Sequence, residues 1–524
     1  MPARMAENVL PPRGAALLLA LVLAILLFRL GAVPLLGPDE PRYARVAVEM
    51  KRSGDLVTPR LQGEPWLEKP ALYYWLAAAA YSVLGENETA ARLPSVAAAL
   101  LFVGATAIVA SRLYGAAAGL HAGFILGTSL LAFGYGRAAA MDMLLAATIT
   151  AALGFLGLRF LGIAGRLSVP AAYAAIALAT LAKGPIGVLL PGLVVVGYAV
   201  ATRDRRVLTR ALSLPGALVF LAIAGPWYGA VWVAEGQRFV DVFFLNHNLQ
   251  RFTSTIHNHP GPFYYYAPLL IAGFFPWSGL LLPGIFGLRP RSERADLWLL
   301  LWFGLPFLFF SAAGSKLPGY ILPCLPPLAI AMGRAADRLV RGAEGSAWRR
   351  PVALAGLALG ALLATGPFVL RAQGERLWLA ALPPCLWALV VTFSASRRIE
   401  TSAAGAIAIL RVGAAGLLLL LALAAPPLLA ARESGRDLFL PAAGRPVLAW
   451  KAWRTAWMSG YFYNDGKVRE IDSFRDLQAA LENGPVLLLC GPEEKRRLEQ
   501  MATLRATTLA VGARATSLLK VEAR

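Results

Sequence analysis

The chain has 524 residues, is 58% hydrophobic and only 15% charged, and its apolar runs recur at bilayer-spanning length, which excludes an ordinary soluble globular class. Its formal net charge of +20 sits in short basic clusters between apolar segments, a pattern that fixes membrane topology and gives no reason to expect a nucleic-acid partner. Of its three cysteines, Cys324 and Cys385 lie in apolar runs and Cys490 stands alone, so neither a disulfide framework nor a cysteine metal site is implied.

The first apolar run, Ala15 to Leu36, follows Arg4 and Arg13 but is long for a signal peptide and shows no small-residue cleavage site, so it reads as a retained helix. Apolar length and charged breaks then give about thirteen transmembrane helices, roughly at 14–36, 91–111, 115–133, 140–164, 168–182, 185–202, 213–234, 264–286, 296–313, 318–334, 351–371, 376–394 and 406–431. With the N-terminus in the cytoplasm, the even-numbered connections carry Arg112, Arg166, the Arg203–Arg210 cluster, Arg289 to Arg294, Arg334 to Arg350, and Arg397 with Arg398. Each agrees with the positive-inside bias. The odd-numbered connections then face the outside, the periplasm of a Gram-negative cell, and carry most of the awkward polar residues. The sequence predicts an all-α polytopic membrane protein with interfacial helices in its first outer loop and a small C-terminal α/β domain outside the membrane. The divisions read are 1–431 for the transmembrane part, 37–90 for the first outer loop within it, and 432–524 for the C-terminal domain.

The first outer loop is the densest chemistry in the chain. Between Pro38 and Pro70 lie Asp39, Glu40, Glu49, Asp55, Glu64 and Glu68, six of the 30 carboxylates, interleaved with Arg42, Arg45, Lys51, Arg52, Arg60 and Lys69. Tyr43, Val46, Ala47 and Met50 recur at helical spacing from Pro41 to Gly54, predicting an amphipathic helix in the interface with Asp39 or Glu40 at its N-cap. A second short element runs from Ala71 through Tyr73, Tyr74 and Trp75. An Asp39-Glu40 pair with Arg42 three residues on serves either as a helix cap with a local ion pair or as an acid–guanidinium site for a phosphorylated substrate. Glu68-Lys69 reads equally as an interfacial anchor or as a functional pair.

Further along, Asp142 opens a span five residues after Arg137, and Lys183-Gly184-Pro185 breaks an apolar stretch on the same side. Either residue alone is explained by capping or topology; charges at membrane depth also tend to be functional. The loop from Leu245 to Pro262 holds three of the four histidines. His257 and His259, two apart, are a weak metal signal, while His121 inside an apolar run reads as a packed histidine. Lys316 and Tyr320, four apart around a Pro-Gly break, have the spacing to meet one anionic headgroup. After residue 431, strands are expected at Val447 to Trp450, Trp457 to Tyr463, Pro485 to Cys490 and Thr507 to Val511, with helices at Ser473 to Leu481 and Pro492 to Met501. No nucleotide-binding fingerprint occurs there.

Taken in order, Asp39-Glu40-x-Arg42-Tyr43-Ala44, Ser53-Gly54-Asp55, Glu68-Lys69-Pro70, Arg92-Leu93-Pro94-Ser95, Ala182-Lys183-Gly184-Pro185, Arg251-Phe252, Pro262 to Tyr266 and Lys316 to Pro323 resemble glycosyltransferase family 39. Within it they resemble the 4-amino-4-deoxy-L-arabinose lipid A transferase branch, a relative of the protein O-mannosyltransferases. The resemblance implies a GT-C-type fold and an inverting enzyme of the bacterial inner membrane. It would take a sugar from an undecaprenyl- or other polyprenyl-phosphate donor and move it to lipid A, or to another glycan or protein acceptor, as a monomer with a periplasmic active site. Carried onto this chain, it assigns catalysis to Asp39, Arg42, Lys69 and Asp142. Tyr43, Lys183, Arg251, Lys316 and Tyr320 fall to substrate binding, and a divalent, zinc-like metal to Glu68 and His259, with His257 the competing histidine. Two other readings compete with this one: hexose transfer onto a protein or glycan hydroxyl, and a lipid or sugar transporter. The transporter reading expects functional charges near the midplane and paired repeats, whereas here the functional charges gather at one surface and no internal repeat is found.

Overall fold

The computed structural model describes residues 10–243, 261–343, 347–375 and 377–524. The Arg251, His257 and His259 assignments lie outside the described residues. The chain forms two compact units, one comprising 1–28, 67–73 and 93–421, the other 29–66, 74–92 and 422–524.

The larger unit is helical and multi-pass. Among the described residues of the whole chain, eight helices are long and apolar enough to cross a membrane, ten if two bent pairs each count as one span. Shorter apolar helices, Ser168–Lys183 and Ile186–Thr202 among them, add to these. Each of the thirteen apolar runs read from the sequence falls on a helix or helix pair, but two that read as continuous are broken. The 115–133 run is Ala116–Gly127 followed by Leu130–Gly136, bent by 63°, and the 264–286 run is Phe263–Gly273 followed by Trp277–Phe286, bent by 114°. The reason is visible at the breaks. Thr128 turns its hydroxyl back to the Phe124 carbonyl (2.6 Å) and Pro276 has no N–H to continue its helix, while the Trp277 indole donates to the Thr128 hydroxyl at 2.9 Å and ties one break to the other. The 318–334 run likewise starts as a 3-10 segment, Pro318–Cys324, and becomes α-helical at Leu325–Val340, because Pro318 and Pro323 withhold donors from the ladder.

Small residues set the spacing of this unit. The Asp142–Phe160 and Ser168–Lys183 helices bury Ala146, Ala147, Ala172, Ala175 and Ala179, which lets backbones approach as membrane helices must when no hydrophobic drive separates protein from lipid. A side chain at Gly333 would meet the Ala122 amide nitrogen at 2.6 Å, so that crossing tolerates only glycine. One buried charge is fully answered: Asp296 takes hydrogen bonds from Arg334 (2.6 and 2.8 Å), the Arg289 amide (2.7 Å) and the Tyr114 hydroxyl.

The smaller unit holds the first-loop elements and the C-terminal domain. In the first loop a short hairpin pairs β1 (Arg60–Leu61) with β2 (Glu64–Pro65). The C-terminal domain contributes β3 (Val447–Trp450), β4 (Val468–Ile471), β5 (Val486–Cys490), β6 (Leu504–Val511) and β7 (Ser517–Ala523). These form one sheet in the order β4-β3-β5-β7-β6, with β3 parallel to β4 and β5, and β7 antiparallel to β5 and β6. Leu477, Leu488, Cys490, Leu498, Leu519 and Val521 make the sheet's core, and burial pushes the Cys490 thiol up to about 12.

The segment Trp457 to Tyr463, whose aromatics suggest a strand, is the helix Arg454–Tyr463. Its buried residues Ala456, Ser459 and Gly460 are small and recur at helical spacing, and that packing period overrides β-propensity. β4 and β7 carry little sequence signal: Val468–Ile471 is too short to show a pattern, and Ser517–Ala523 holds Lys520 and Glu522 within it. The expected helices are present as Phe474–Leu481, with a Ser473/Asp476 capping box, and Pro492–Glu499.

Candidate active site

In the smaller unit the chemistry sits at the start of the Asp39–Ser53 helix. Pro38 occupies the N-cap position and no side chain caps the helix, so neither Asp39 nor Glu40 plays the capping role the sequence allows. The two acids diverge instead. Glu40 is buried; its carboxylate takes the Leu36 amide (2.8 Å) and Arg92 (2.7 Å). Arg92, 2% exposed, also donates to the carbonyls of Leu30 (2.9 Å), Val33 (2.6 Å) and Pro34 (2.8 Å). Asp39 keeps a side chain 51% exposed and pairs with Arg42. Arg42 is itself buried, donates through Nε to the Pro38 carbonyl (2.9 Å), and lies over the Trp66 ring at 5.3 Å. One acid is therefore spent on architecture, and the other is presented beside a guanidinium held on an indole face.

The rest of this helix is largely covered. Its predicted apolar face (Tyr43, Val46, Ala47, Met50) is buried, and so are Ala44 and Val48. Its polar face is covered by the C-terminal domain. Arg45 donates to Glu49 and to Asp465, both at 2.7 Å; Arg52 bonds Asp465 and Glu86, both at 2.6 Å. The Gln62 amide donates to the carbonyls of Gly466 (2.9 Å) and Val468 (2.7 Å), and Tyr463 Oη donates to Glu88 (3.0 Å) while accepting from the Leu35 amide (2.7 Å). Partial burial works to raise the Asp465 pKa, yet the hydrogen bonds from Arg45 and Arg52 outweigh it and hold the carboxyl below its ordinary range. The Arg52 hydrogen bond likewise lowers Glu86. Both folded-state values are depressed, so the stabilisation is present above an ordinary carboxylate pKa of about 4 and is lost as pH falls through the lower folded value. Thermal melts should therefore be flat from about pH 7 to 5 and drop below about pH 4. Asp465→Asn should flatten that drop and cost only about 0.5–1 kcal/mol at neutral pH, since its side chain is half exposed.

In the larger unit three predicted residues meet. Asp142 opens the Asp142–Phe160 helix, Lys183 closes Ser168–Lys183, and their side chains pair at 2.6 Å. The Lys183 ammonium also stands 4.8 Å from the centre of the Tyr320 ring. Neither residue caps anything, and both keep part of their surface, 19% for Asp142 and 16% for Lys183. Gly319 makes the approach feasible, because a side chain there would meet Asp142 Oδ1 at 2.6 Å and the Tyr135 ring at 2.8 Å. Gly319→Ala should displace Asp142 and break its ion pair with Lys183, which a structure of the variant would show as a lengthened Asp142–Lys183 distance.

Lys316 does not join Tyr320 as its spacing suggests; it is buried and donates to the Ala313 carbonyl at 2.7 Å. Lys69 is buried too, its ammonium 3.2 Å from the Glu68 carbonyl, and Glu68 is half-buried. Among the described residues no group of three His, Cys, Asp or Glu is placed to hold a metal, so a metal on Glu68 rests on the histidine loop outside them. Sequence reasoning missed the Glu40–Arg92 node, Trp66, Tyr135 and the Tyr463 and Asp465 contacts. Of these, Glu40 and Arg92, each inside a motif of the resemblance, carried a signal.

Residues 68–230 match the family model described as dolichyl-phosphate-mannose-protein mannosyltransferase. A crystal structure of ArnT from Cupriavidus metallidurans bound to undecaprenyl phosphate matches with TM-score 0.82 and 26% identity over 97% of both chains. An archaeal oligosaccharyltransferase from Archaeoglobus fulgidus, 11% identical with TM-score 0.53, shares the fold alone. The fold is thus that of a polytopic membrane protein of the GT-C type. Within that class the resemblance to glycosyltransferase family 39, and in it to the aminoarabinose transferases, is borne out by the relatives. The undecaprenyl phosphate-alpha-4-amino-4-deoxy-L-arabinose arabinosyl transferase of Edwardsiella ictaluri is 35% identical over 62% of this chain, and one from Pseudomonas fluorescens is 33% identical over 60%. The matched stretches span 61% and 54% of those two relatives.

Proposed function

We propose that this chain transfers a sugar, of aminoarabinose type, from undecaprenyl phosphate to a lipid A-type acceptor at the periplasmic face of the bacterial inner membrane. The observation that carries the reading is the structural match to ArnT over 97% of both chains. The accessible Asp39 beside a fixed Arg42 supports it.

The chemistry follows from what leaves. An acceptor oxygen attacks the sugar's anomeric carbon from the face opposite the donor phosphate; the carbon–oxygen bond to phosphate breaks, and its electron pair departs with the polyprenyl phosphate. Inversion results. The leaving group gains a negative charge, which the family resemblance would assign to Lys69 and to Arg42 or Lys183. Tyr43, Arg251, Lys316 and Tyr320 are assigned to hold donor or acceptor. A hydroxyl acceptor gives up a proton and calls for a base, the role Asp39 would fill. A lipid phosphate, with a second pKa of about 6, is largely ionised at neutral pH, and Asp39 then orients groups instead. A divalent ion on Glu68 and His259, when bound, would add positive charge at the phosphate. Metal analysis of purified wild-type protein and of His259→Ala reads this directly; equal metal content in both would remove His259 from the assignment.

The family model, described for a mannosyltransferase, favours a second reading in which a hexose moves to a protein or glycan hydroxyl. Lipid mass spectrometry of a strain lacking the chain separates the two. Loss of aminoarabinose-modified lipid A with accumulation of the polyprenyl-linked pentose supports the first; unchanged lipid A with a hexose donor accumulating supports the second. A tag placed after Arg524 should be reached from the periplasm, and a cytoplasmic tag would overturn the orientation.

A further inference from the structure

Asp39 stands where a chain is ordinarily loose. It is the first residue of the Asp39–Ser53 helix, whose N-cap position is Pro38, a residue with no side-chain acceptor, and two residues before it Gly37 takes a left-handed φ of 62°. A glycine beside an uncapped helix start leaves the chain free to move, and a displacement of about 1 Å at a reacting group is enough to cost about 100-fold in rate.

The smaller unit removes that freedom one amide at a time. The Leu35 N–H donates to the Tyr463 hydroxyl (2.7 Å), the Leu36 N–H to the Glu40 carboxylate (2.8 Å) and the Gly37 N–H to the Glu433 carbonyl (2.8 Å). Glu433 offers only its backbone, and Glu40 belongs to the buried pair with Arg92. Tyr463 differs from both. It ends the Arg454–Tyr463 helix of the C-terminal domain and reaches a segment 428 residues earlier in the chain through a single oxygen. That oxygen is aligned from its other side: the hydroxyl donates to Glu88 at 3.0 Å, the first residue of the Glu88–Tyr114 helix, so its proton is committed there and a lone pair faces the Leu35 amide. Burial first, and the Glu88 carboxylate second, push the phenol above its ordinary range, which keeps that proton in place at neutral pH.

We propose that Tyr463 is a positioning residue of the transfer reaction: its hydroxyl, aligned by Glu88, pins the backbone that presents Asp39, which makes the C-terminal domain a support of the active site. The proposal rests on Asp39 acting in the transfer. Full-length protein in vesicles, supplied with undecaprenyl-phosphate aminoarabinose and lipid A, gives kcat and the donor KM per folded molecule. Tyr463→Phe removes one oxygen and should lower kcat about tenfold with the donor KM unchanged. In an Asp39→Asn background the same change should cost less than about twofold, because a carboxylate that is gone cannot be misplaced. Glu88→Ala keeps the phenol but removes its acceptor and should repeat the fall in kcat, which gives a second reading if Tyr463→Phe folds poorly. Glu88→Gln, whose amide oxygen still accepts, should restore most of the rate. Asp465→Asn loosens the ion pairs of the same domain with Arg45 and Arg52 and should leave kcat as it is. An unchanged kcat in Tyr463→Phe or Glu88→Ala would overturn the proposal. So would an equal fall with and without the Asp39 carboxylate, which would mark Tyr463 as a support of the fold alone. Normal turnover in Asp39→Asn is a separate failure: it removes Asp39 from the reaction, and this proposal with it.

Discussion

Asp39→Asn is expected to reduce sugar transfer by about 100-fold or more, the scale of a lost general base or orienting carboxylate, with the protein still inserting and melting as wild type does. The exposure difference between neighbouring acids makes this sharp. Asp39 is half exposed and touches Arg42, so its removal costs folding little. Glu40, one residue on, is buried against Arg92 and the Leu36 amide. Glu40→Gln should therefore fail through stability, and Asp39→Asn through chemistry. If the two variants behaved alike, or Asp39→Asn turned over normally, Asp39 would have no part in the reaction.

Arg92→Met should be the most destabilising single change, by about 3–5 kcal/mol, because it strands a buried carboxylate. Three backbone carbonyls, those of Leu30, Val33 and Pro34, lose their donor at the same time. These carbonyls and Glu40 fix the chain as it enters the Asp39–Ser53 helix, so activity should fall with stability. The double variant Arg92→Met, Glu40→Gln should recover part of the loss, since no charge is then left buried alone. Urea or thermal unfolding of the four proteins measures the coupling. Additive losses would mean that the two side chains act independently.

Much of the fold is legible in the sequence because hydrophobic length is a simple signal: each apolar run of bilayer-spanning length forms a helix or helix pair. The breaks are less legible, since the bend at Thr128 depends on a hydroxyl turning inward and on an indole from far along the chain. In the C-terminal domain, aromatic composition points Trp457 to Tyr463 toward a strand, whereas the small residues Ala456, Ser459 and Gly460 decide a helix. The candidate site is legible in residue type and order. The pairing of Lys183 with Asp142 is not, because 41 residues separate them and only Gly319 lets the two elements meet around Tyr320. Lys316 shows the opposite error: a suggestive spacing to Tyr320 is cancelled by the nearer Ala313 carbonyl. Local period says which face a side chain takes; it does not say which acid, Asp39 or Glu40, the distant Arg92 will claim.

The most direct test of lipid-linked sugar transfer is the stoichiometry of the reaction in reconstituted vesicles. Purified chain is supplied with undecaprenyl-phosphate aminoarabinose labelled in the sugar, and with lipid A. One free undecaprenyl phosphate should be released for each labelled sugar appearing on lipid A, with both products lost in Asp39→Asn. Sugar that stays on its carrier, or that crosses the membrane still attached to it, would rule out transfer and favour a transporter.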